Sequence, residues 1–180
     1  MQHEVIFAGF GGQGILLIGQ MVAYAGMDEG KNVTWLPSYG PEMRGGTASC
    51  TVVVSDKPIG SPVISSPEIV VVMNRPSLEK FGPQVRKDGY LFINSSMIDV
   101  RSGRNDIKEI LVPCNDLAAK VGNPRSANIV MLGALIKKTE IISEAAIRGR
   151  IEYAFKKKGT DLIKLNNTAL DEGAKTTLKQ

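Results

Sequence analysis

Short apolar runs alternate along the chain with longer stretches in which apolar residues recur every three or four positions, the pattern of an α/β protein. The first run, Val5-Ile6-Phe7-Ala8, passes through Gly9-Phe10-Gly11-Gly12-Gln13-Gly14 into a helical pattern over 15–27. Strand patterns follow over 32–36, 48–55, 68–74, 90–94 and 107–112. Within 68–74, Ile69-Val70-Val71-Val72 is apolar on both faces, as a central strand requires. Helical stretches are expected over 77–85, 117–121, 127–136, 143–157 and 161–170, with 176–180 fraying. The connection between Leu36 and Ala48 is too short for a helical crossover, so strand 48–55 should run antiparallel to its predecessor. The expected architecture is one domain over 1–180. It is three-layer α/β/α, with a mixed, mostly parallel sheet and a Rossmann-like start.

Several local features sharpen this outline. Gly19, Ala23 and Gly26 form one thin stripe, which lets the first helix lie close on the sheet despite the helix propensity its glycines lose. The stretch 127–136 is apolar nearly all round, so it is either buried on every side or turned toward another subunit. Asn128 at its start reads as a structural hydrogen-bonder. Asn115 or Asp116 is placed to cap helix 117–121. Asn74 and Arg75 sit at the carboxyl end of a central strand, where they either line a ligand crevice or act as a helix cap and a surface arginine. The Asn166-Asn167 pair reads as surface. Lys156-Lys157-Lys158 suits the negative end of a helix.

Composition narrows the chemistry. Among 180 residues, 43% are hydrophobic and 22% charged, an ordinary globular balance. A net charge of +4 with 6% aromatics is too sparse for a nucleic-acid face. No apolar run approaches membrane-spanning length, and the N-terminus runs straight into a strand, so the expectation is a soluble cytoplasmic protein. The only histidine, His3, precedes the first strand, which removes the usual general base. The only cysteines, Cys50 and Cys114, make neither a metal set nor a cluster run. Cys114, between a strand and a helix start, reads as a reactive thiolate or, by the plainer account, as a small buried hydrophobe. No catalytic or metal-ligating residue is assigned.

The glycine turn carries the strongest signal. Gly9, Gly11 and Gly14 fit G-x-G-x-x-G, a strand turning into a helix whose first N–H groups and positive dipole end favour phosphate. A stand-alone NAD- or FAD-binding module is one reading. It also wants an acid about 20 residues on for the ribose. Here Val33-Thr34-Trp35-Leu36-Pro37-Ser38-Tyr39 supplies none before Glu42. A second motif, Pro37-Ser38-Tyr39-Gly40-Pro41-Glu42-Met43-Arg44-Gly45-Gly46, presents one arginine beside two glycines. It reads as an exposed loop or as a second anion clamp, because arginine offers forked donors to phosphate.

Phe7-Ala8-Gly9-Phe10-Gly11-Gly12-Gln13-Gly14 and Ser38-Tyr39-Gly40-Pro41-Glu42-Met43-Arg44-Gly45-Gly46 together resemble the γ subunit, or domain III, of the 2-oxoacid:ferredoxin oxidoreductases. Asn123-Pro124-Arg125-Ser126-Ala127-Asn128 with Met131-Leu132-Gly133-Ala134 is similar as well, and the likeness is greatest to the 2-oxoglutarate branch. The resemblance implies oxidative decarboxylation of a 2-oxoacid with coenzyme A to an acyl-CoA, succinyl-CoA for 2-oxoglutarate, and carbon dioxide. Ferredoxin takes the electrons. It implies thiamine diphosphate and iron–sulfur clusters held by α, β and δ partner subunits, since this chain has neither a thiamine motif nor enough cysteines. It associates this subunit with coenzyme A. On that implication Gly9, Gly11, Gly12, Gln13 and Gly14 cradle the phosphates and Arg44, with Gly45 beside it, neutralises one of them. A purely non-catalytic scaffold is the alternative role. An isolated chain is free to form a homodimer through a surface meant for its partners.

Overall fold

Six strands, β1 (Gln2–Phe10), β2 (Asn32–Ser38), β3 (Thr47–Ser55), β4 (Ile69–Val72), β5 (Tyr90–Asn94) and β6 (Lys108–Val112), form one sheet in the order β2-β3-β1-β4-β5-β6. They come from a computed structural model that describes residues 1–38 and 47–179. β3 is antiparallel to β2 and to β1, whereas β1, β4, β5 and β6 are mutually parallel. The sheet is therefore mixed and mostly parallel, with β3 as its one reversed strand. The short connection before β3 has the expected consequence: the chain returns beside β2 as a hairpin, and β3 separates β2 from β1.

Among the described residues the α-helices are α1 (Ile15–Asp28), α2 (Arg75–Phe81), α3 (Cys114–Val121), α4 (Ala127–Thr139), α5 (Glu144–Phe155) and α6 (Thr160–Thr176). They are divided unequally. Val5, Phe7, Val71 and Phe92 face a large core built with α1, α3, α4, α5 and α6. The alternate residues Ile6, Ala8, Val70, Val72, Leu91 and Ile93 face a small core closed by Leu78, Phe81, Val85 and Ile98. The period of two in a strand thus sorts one apolar run between two layers. Among the described residues, no helix is long and apolar enough to cross a membrane.

Close backbone packing holds the thick layer together. A methyl on Gly19 would meet the Cys50 sulfur, and one on Gly26 would lie 2.9 Å from Val33 Cγ2, so the small stripe of α1 does rest on β3 and β2. α4 is buried from Asn128 to Ile136. It is covered from within the chain by α6, where Gly133 sits against the Leu170 carbonyl and Gly173 against the Val130 carbonyl. That contact also explains two departures from expectation. α6 runs to Thr176 rather than ending near Leu170, and Asn166 is buried, its amide donating to the Leu162 carbonyl at 2.9 Å. Thr177, placed in a fraying tail by sequence, is also buried.

Two helix starts likewise differ from the pattern reading. α2 begins at Arg75 because Asn74 caps it, its Oδ1 accepting from Ser77 N at 2.8 Å, with Pro76 in the first turn. α3 begins at Cys114, directly after Pro113, so Asn115 and Asp116 lie inside the helix rather than capping it. Its first N–H groups are met from a distant segment: Cys114 N donates to Asn94 Oδ1, and Asn115 N and Asp116 N both donate to Ser96 Oγ, each at 3.2 Å. Local sequence does not reveal a cap supplied from 20 residues away.

The N-terminal edge of the sheet is tied by charge. His3 Nδ1 lies 2.9 Å from Glu68 Oε2, and Arg86 pairs with the other Glu68 oxygen at 3.0 Å. Burial pushes the Glu68 carboxyl up, but His3 and Arg86 outweigh it and hold the group below its ordinary value of 4.5. A carboxyl lowered in the folded state stabilises above its unfolded pKa and loses that contribution as pH falls through the folded one. The melting temperature should therefore drop as pH falls from about 5 toward 3, and Glu68→Gln should flatten that slope in a thermal-melt series. Separately, Gly173→Ala should destabilise the fold by about 1–3 kcal/mol in chemical denaturation, because its methyl has only backbone to move.

Candidate functional site

β1 ends where the chain must leave a strand paired on both edges and start α1 within four residues. Gly12 has φ +94° and Gly14, the N-cap of α1, has φ +73°, a region that side chains disfavour. The glycines of the motif divide by role. Gly9 leaves space for its neighbours, since a methyl there would lie 2.6 Å from Gln13 Oε1 and 2.9 Å from Ile15 Cγ1. Gly14 makes room for Asn128, whose Nδ2 donates to the Gly14 carbonyl at 3.2 Å. That bond bears out the structural reading of Asn128. Gly11 and Gly12 are exposed at the turn's outer surface.

Gln13 braces the turn. Its Oε1 accepts from Phe10 N at 2.6 Å, its Nε2 donates to the Met73 carbonyl at 3.3 Å, and its own N–H donates to the Phe10 carbonyl at 3.2 Å. These bonds hold the turn against the end of β4. Past Gly14 the helix has no acidic residue in its first turn and no side-chain cap. The positive end of its dipole is therefore not offset by a carboxylate on the helix itself.

Arg44 and Gly45 lie outside the described residues, but the ends of the segment that holds them do not. Phe10 pairs with Thr47 and Gly9 with Ala48, and across β3 Ser38 pairs with Ser49. The segment thus ends at Thr47 beside Phe10, at the edge of the glycine turn, whereas Ser38 at its start lies across β3 from β1. A hollow of about 240 Å³ adjoins that edge, lined by Phe10, Gly11, Gly12, Leu16, Leu17 and Ala48 among others.

A second opening lies on the other side of the turn. α1 follows β1 on the thick face of the sheet and α2 follows β4 on the thin face, so the carboxyl ends of β1 and β4 flank a topological switch point, the usual place for a ligand crevice. The crevice measures about 340 Å³ and is lined by Gly12, Gln13, Met73, Asn115 and Arg125 among others. Arg125 is a cation that sequence reasoning does not single out as a site residue. Its available signal is its place in the Asn123–Asn128 motif, at a chain break before a buried helix. Asn115 is held there by Asn94, whose Nδ2 donates to Asn115 Oδ1 at 2.9 Å. Of the two strand-end candidates, Asn74 is a buried cap, and Arg75 is an exposed residue paired with Glu79 at 2.9 Å.

Neither thiol belongs to this site. Cys114 is fully buried, and burial raises its pKa well above the ordinary thiol value. Burial pushes Cys50 up to about 12, against a partial offset from the Trp35 indole. The plainer reading of Cys114, a small buried hydrophobe, is the one that holds. No group of three or more His, Cys, Asp or Glu suited to a metal occurs among the described residues.

The chain matches the family model for pyruvate ferredoxin/flavodoxin oxidoreductase over residues 4–176. It is 38% identical over 172 residues to ketoisovalerate oxidoreductase subunit VorA of Methanothermobacter marburgensis, which covers 95% of this chain but 36% of that protein. The chain thus spans about a third of VorA's length. It is 32% identical over 154 residues to 2-oxoglutarate synthase subunit KorC of Methanocaldococcus jannaschii, covering 84% of this chain and 82% of KorC. The fold superposes with a TM-score of 0.92, at 23% identity, on 31% of a chain of the Magnetococcus marinus 2-oxoglutarate:ferredoxin oxidoreductase, solved with 2-oxoglutarate, coenzyme A and succinyl-CoA bound; the match covers 99% of this chain. It also superposes, with a TM-score of 0.86 and 25% identity, on 98% of the keto/oxoacid ferredoxin oxidoreductase gamma subunit of Geobacter sulfurreducens, covering 99% of this chain. The family match over nearly the whole chain and the likeness to these relatives agree: this protein belongs to the pyruvate ferredoxin/flavodoxin oxidoreductase family.

Proposed function

We propose that the chain is the γ subunit of a thiamine-diphosphate-dependent 2-oxoacid:ferredoxin oxidoreductase and that it binds coenzyme A for the enzyme. The assembled enzyme oxidatively decarboxylates a 2-oxoacid and joins the acyl group to the coenzyme A thiol. It releases carbon dioxide and passes the electrons to ferredoxin. The observation that carries this reading is the strand register that sets Thr47, the first described residue after the Arg44 motif, beside Phe10 and the exposed Gly11-Gly12 turn.

Coenzyme A is a polyanion, with a diphosphate and a 3′-phosphate. Backbone N–H groups at Gly11 and Gly12, with the α1 dipole behind them, suit one phosphate. Arg44 meets another through its forked donors, and Gly45 leaves space for the approach. Gln13 keeps the turn rigid from within. This chain's part is to hold and orient the thiol carrier. Thiamine diphosphate supplies the carbanion chemistry when bound, on α and β partners. Residues here do not fit it, because the chain has no Gly-Asp-Gly followed at distance by Asn-Asn. Two buried cysteines likewise fall short of a four-thiolate cluster, which is assigned to a δ partner.

The substrate is proposed as 2-oxoglutarate, giving succinyl-CoA. Likeness to KorC supports it, and likeness to VorA sets a branched-chain 2-oxoacid as its competitor. Rates of the assembled enzyme with 2-oxoglutarate and with 2-ketoisovalerate decide: kcat/KM should be higher for 2-oxoglutarate, and the reverse order assigns the chain to the branched-chain branch. For the site, Arg44→Ala in the assembled enzyme should raise the apparent KM for coenzyme A about tenfold to a hundredfold, equivalent to about 1.5–3 kcal/mol. An unchanged KM with assembly intact would remove Arg44 from the site and leave a scaffold role.

A further inference from the structure

Among the described residues, one face of the molecule is apolar, nearly uncharged and exposed. From Ile15 to Met27, α1 contains no Asp, Glu, Lys, Arg or His. Its inner side, with Ile18, Met21, Val22 and Ala25, is buried in the thick core. Its outer side shows Tyr24 at 50% and Met27 at 59% exposure, continuing to Leu36 on edge strand β2 at 45% and Tyr153 on α5 at 64%. A helix face turned to water ordinarily carries charge. Two hollows run together across this surface. One, of about 180 Å³, lies among Tyr24, Met27, Val33 and Trp35, and the other, of about 270 Å³, among Leu17, Tyr24, Arg150 and Tyr153.

The charge within the patch is internally satisfied. Arg150 pairs with Asp28, and its guanidinium lies 5.4 Å from the Tyr24 ring centroid and 5.8 Å from that of Tyr153. The rim is basic: Lys156 Nζ stands 4.5 Å over Tyr153, and Lys157 and Lys158 follow it. An apolar patch of this kind marks a protein interface. The surface that fits it has an apolar centre and an acidic margin.

Two observations identify the occupant. First, this sequence accounts for 36% of VorA, so in that relative the same domain shares a chain with a much larger body. Where the domain is a separate polypeptide, it meets that body without a covalent link. Second, the patch is continuous with the glycine turn. Leu17 lines both the Gly11-Gly12 hollow and the Tyr24–Tyr153 hollow. A body seated on α1 therefore also walls the mouth where the thiol carrier is held.

We propose that the α1–β2–α5 face is the seat of the separate polypeptide corresponding to the rest of VorA, with Tyr24 and Met27 at its centre. This rests on the γ-subunit reading. The test co-expresses the chain with the polypeptide homologous to the remainder of VorA and follows assembly. Tyr24→Glu and Met27→Glu should weaken the complex at least tenfold in Kd. Val63→Glu, at a more exposed apolar residue in the connection between β3 and β4, should not. Circular dichroism and melting of the isolated variants check that the fold is kept. In the wild-type complex, amide exchange should slow over 16–28, 32–36 and 150–155. Protection confined to another face overturns the proposal, as does wild-type assembly by both variants. It is equally overturned if the variants lose only a homodimer, or only binding to phosphatidylserine vesicles, while the complex forms. If the wild-type chain assembles with no such polypeptide, the γ-subunit reading fails along with this one, and the two failures are told apart by that control.

Discussion

Strand β1 is hydrogen-bonded on both edges and buried on both faces, and this confinement dictates how the chain leaves it. β3 occupies one edge through Phe10 and β4 the other through Ala8, and past Phe10 the chain leaves the sheet. It must reverse into α1 in four residues, which requires positive φ at Gly12 and Gly14. The space inside the turn is then filled by polar side chains that join it to neighbouring elements. Gln13 ties it to β4 through the Met73 carbonyl, and Asn128 ties it to the start of α4. A turn braced at both sides is already ordered before any ligand arrives, which is the preorganisation the proposed phosphate site draws on.

The unequal division of helices has its own logic. One short helix suffices on the thin face because the small core lies against β1, β4, β5 and β6 only. The thick face must cover the whole sheet and also enclose α4. Gly133 and Gly173 let α4 and α6 approach to backbone contact, so α4, buried without a break from Asn128 to Ile136, is covered from within. α1 is treated differently: its inner side is buried and its outer side is left apolar. The hollow on that outer side shares Leu17 with the hollow at the Gly11-Gly12 turn.

Much of this was legible in the residues themselves. The apolar runs placed the strands within a few positions, because a strand buried on both faces admits little else. The short link before β3 dictated its reversed direction, and the Gly19–Ala23–Gly26 stripe foretold where α1 touches the sheet. The pairing of the glycine turn with the Arg44 motif was enough to suggest the family. What remained hidden involved partners distant in sequence. The cap of α3 comes from Asn94 and Ser96, the length of α6 from a contact with α4, and the burial of Asn166 from the same packing.

By itself, then, the sequence determined the order and kind of elements, the reversed strand, the conformation demanded at the first turn and the family. These depend on local periodicity, chain length and the sterics of single residues. Only the tertiary structure decided which glycines make room for other side chains and which stay open to solvent. It alone turned Gln13 inward as a brace, set Thr47 beside Phe10 at the edge of the glycine turn, and brought Arg125 to the switch-point crevice. Each of these is a meeting of groups far apart along the chain, and proximity of that kind is set by how the layers pack.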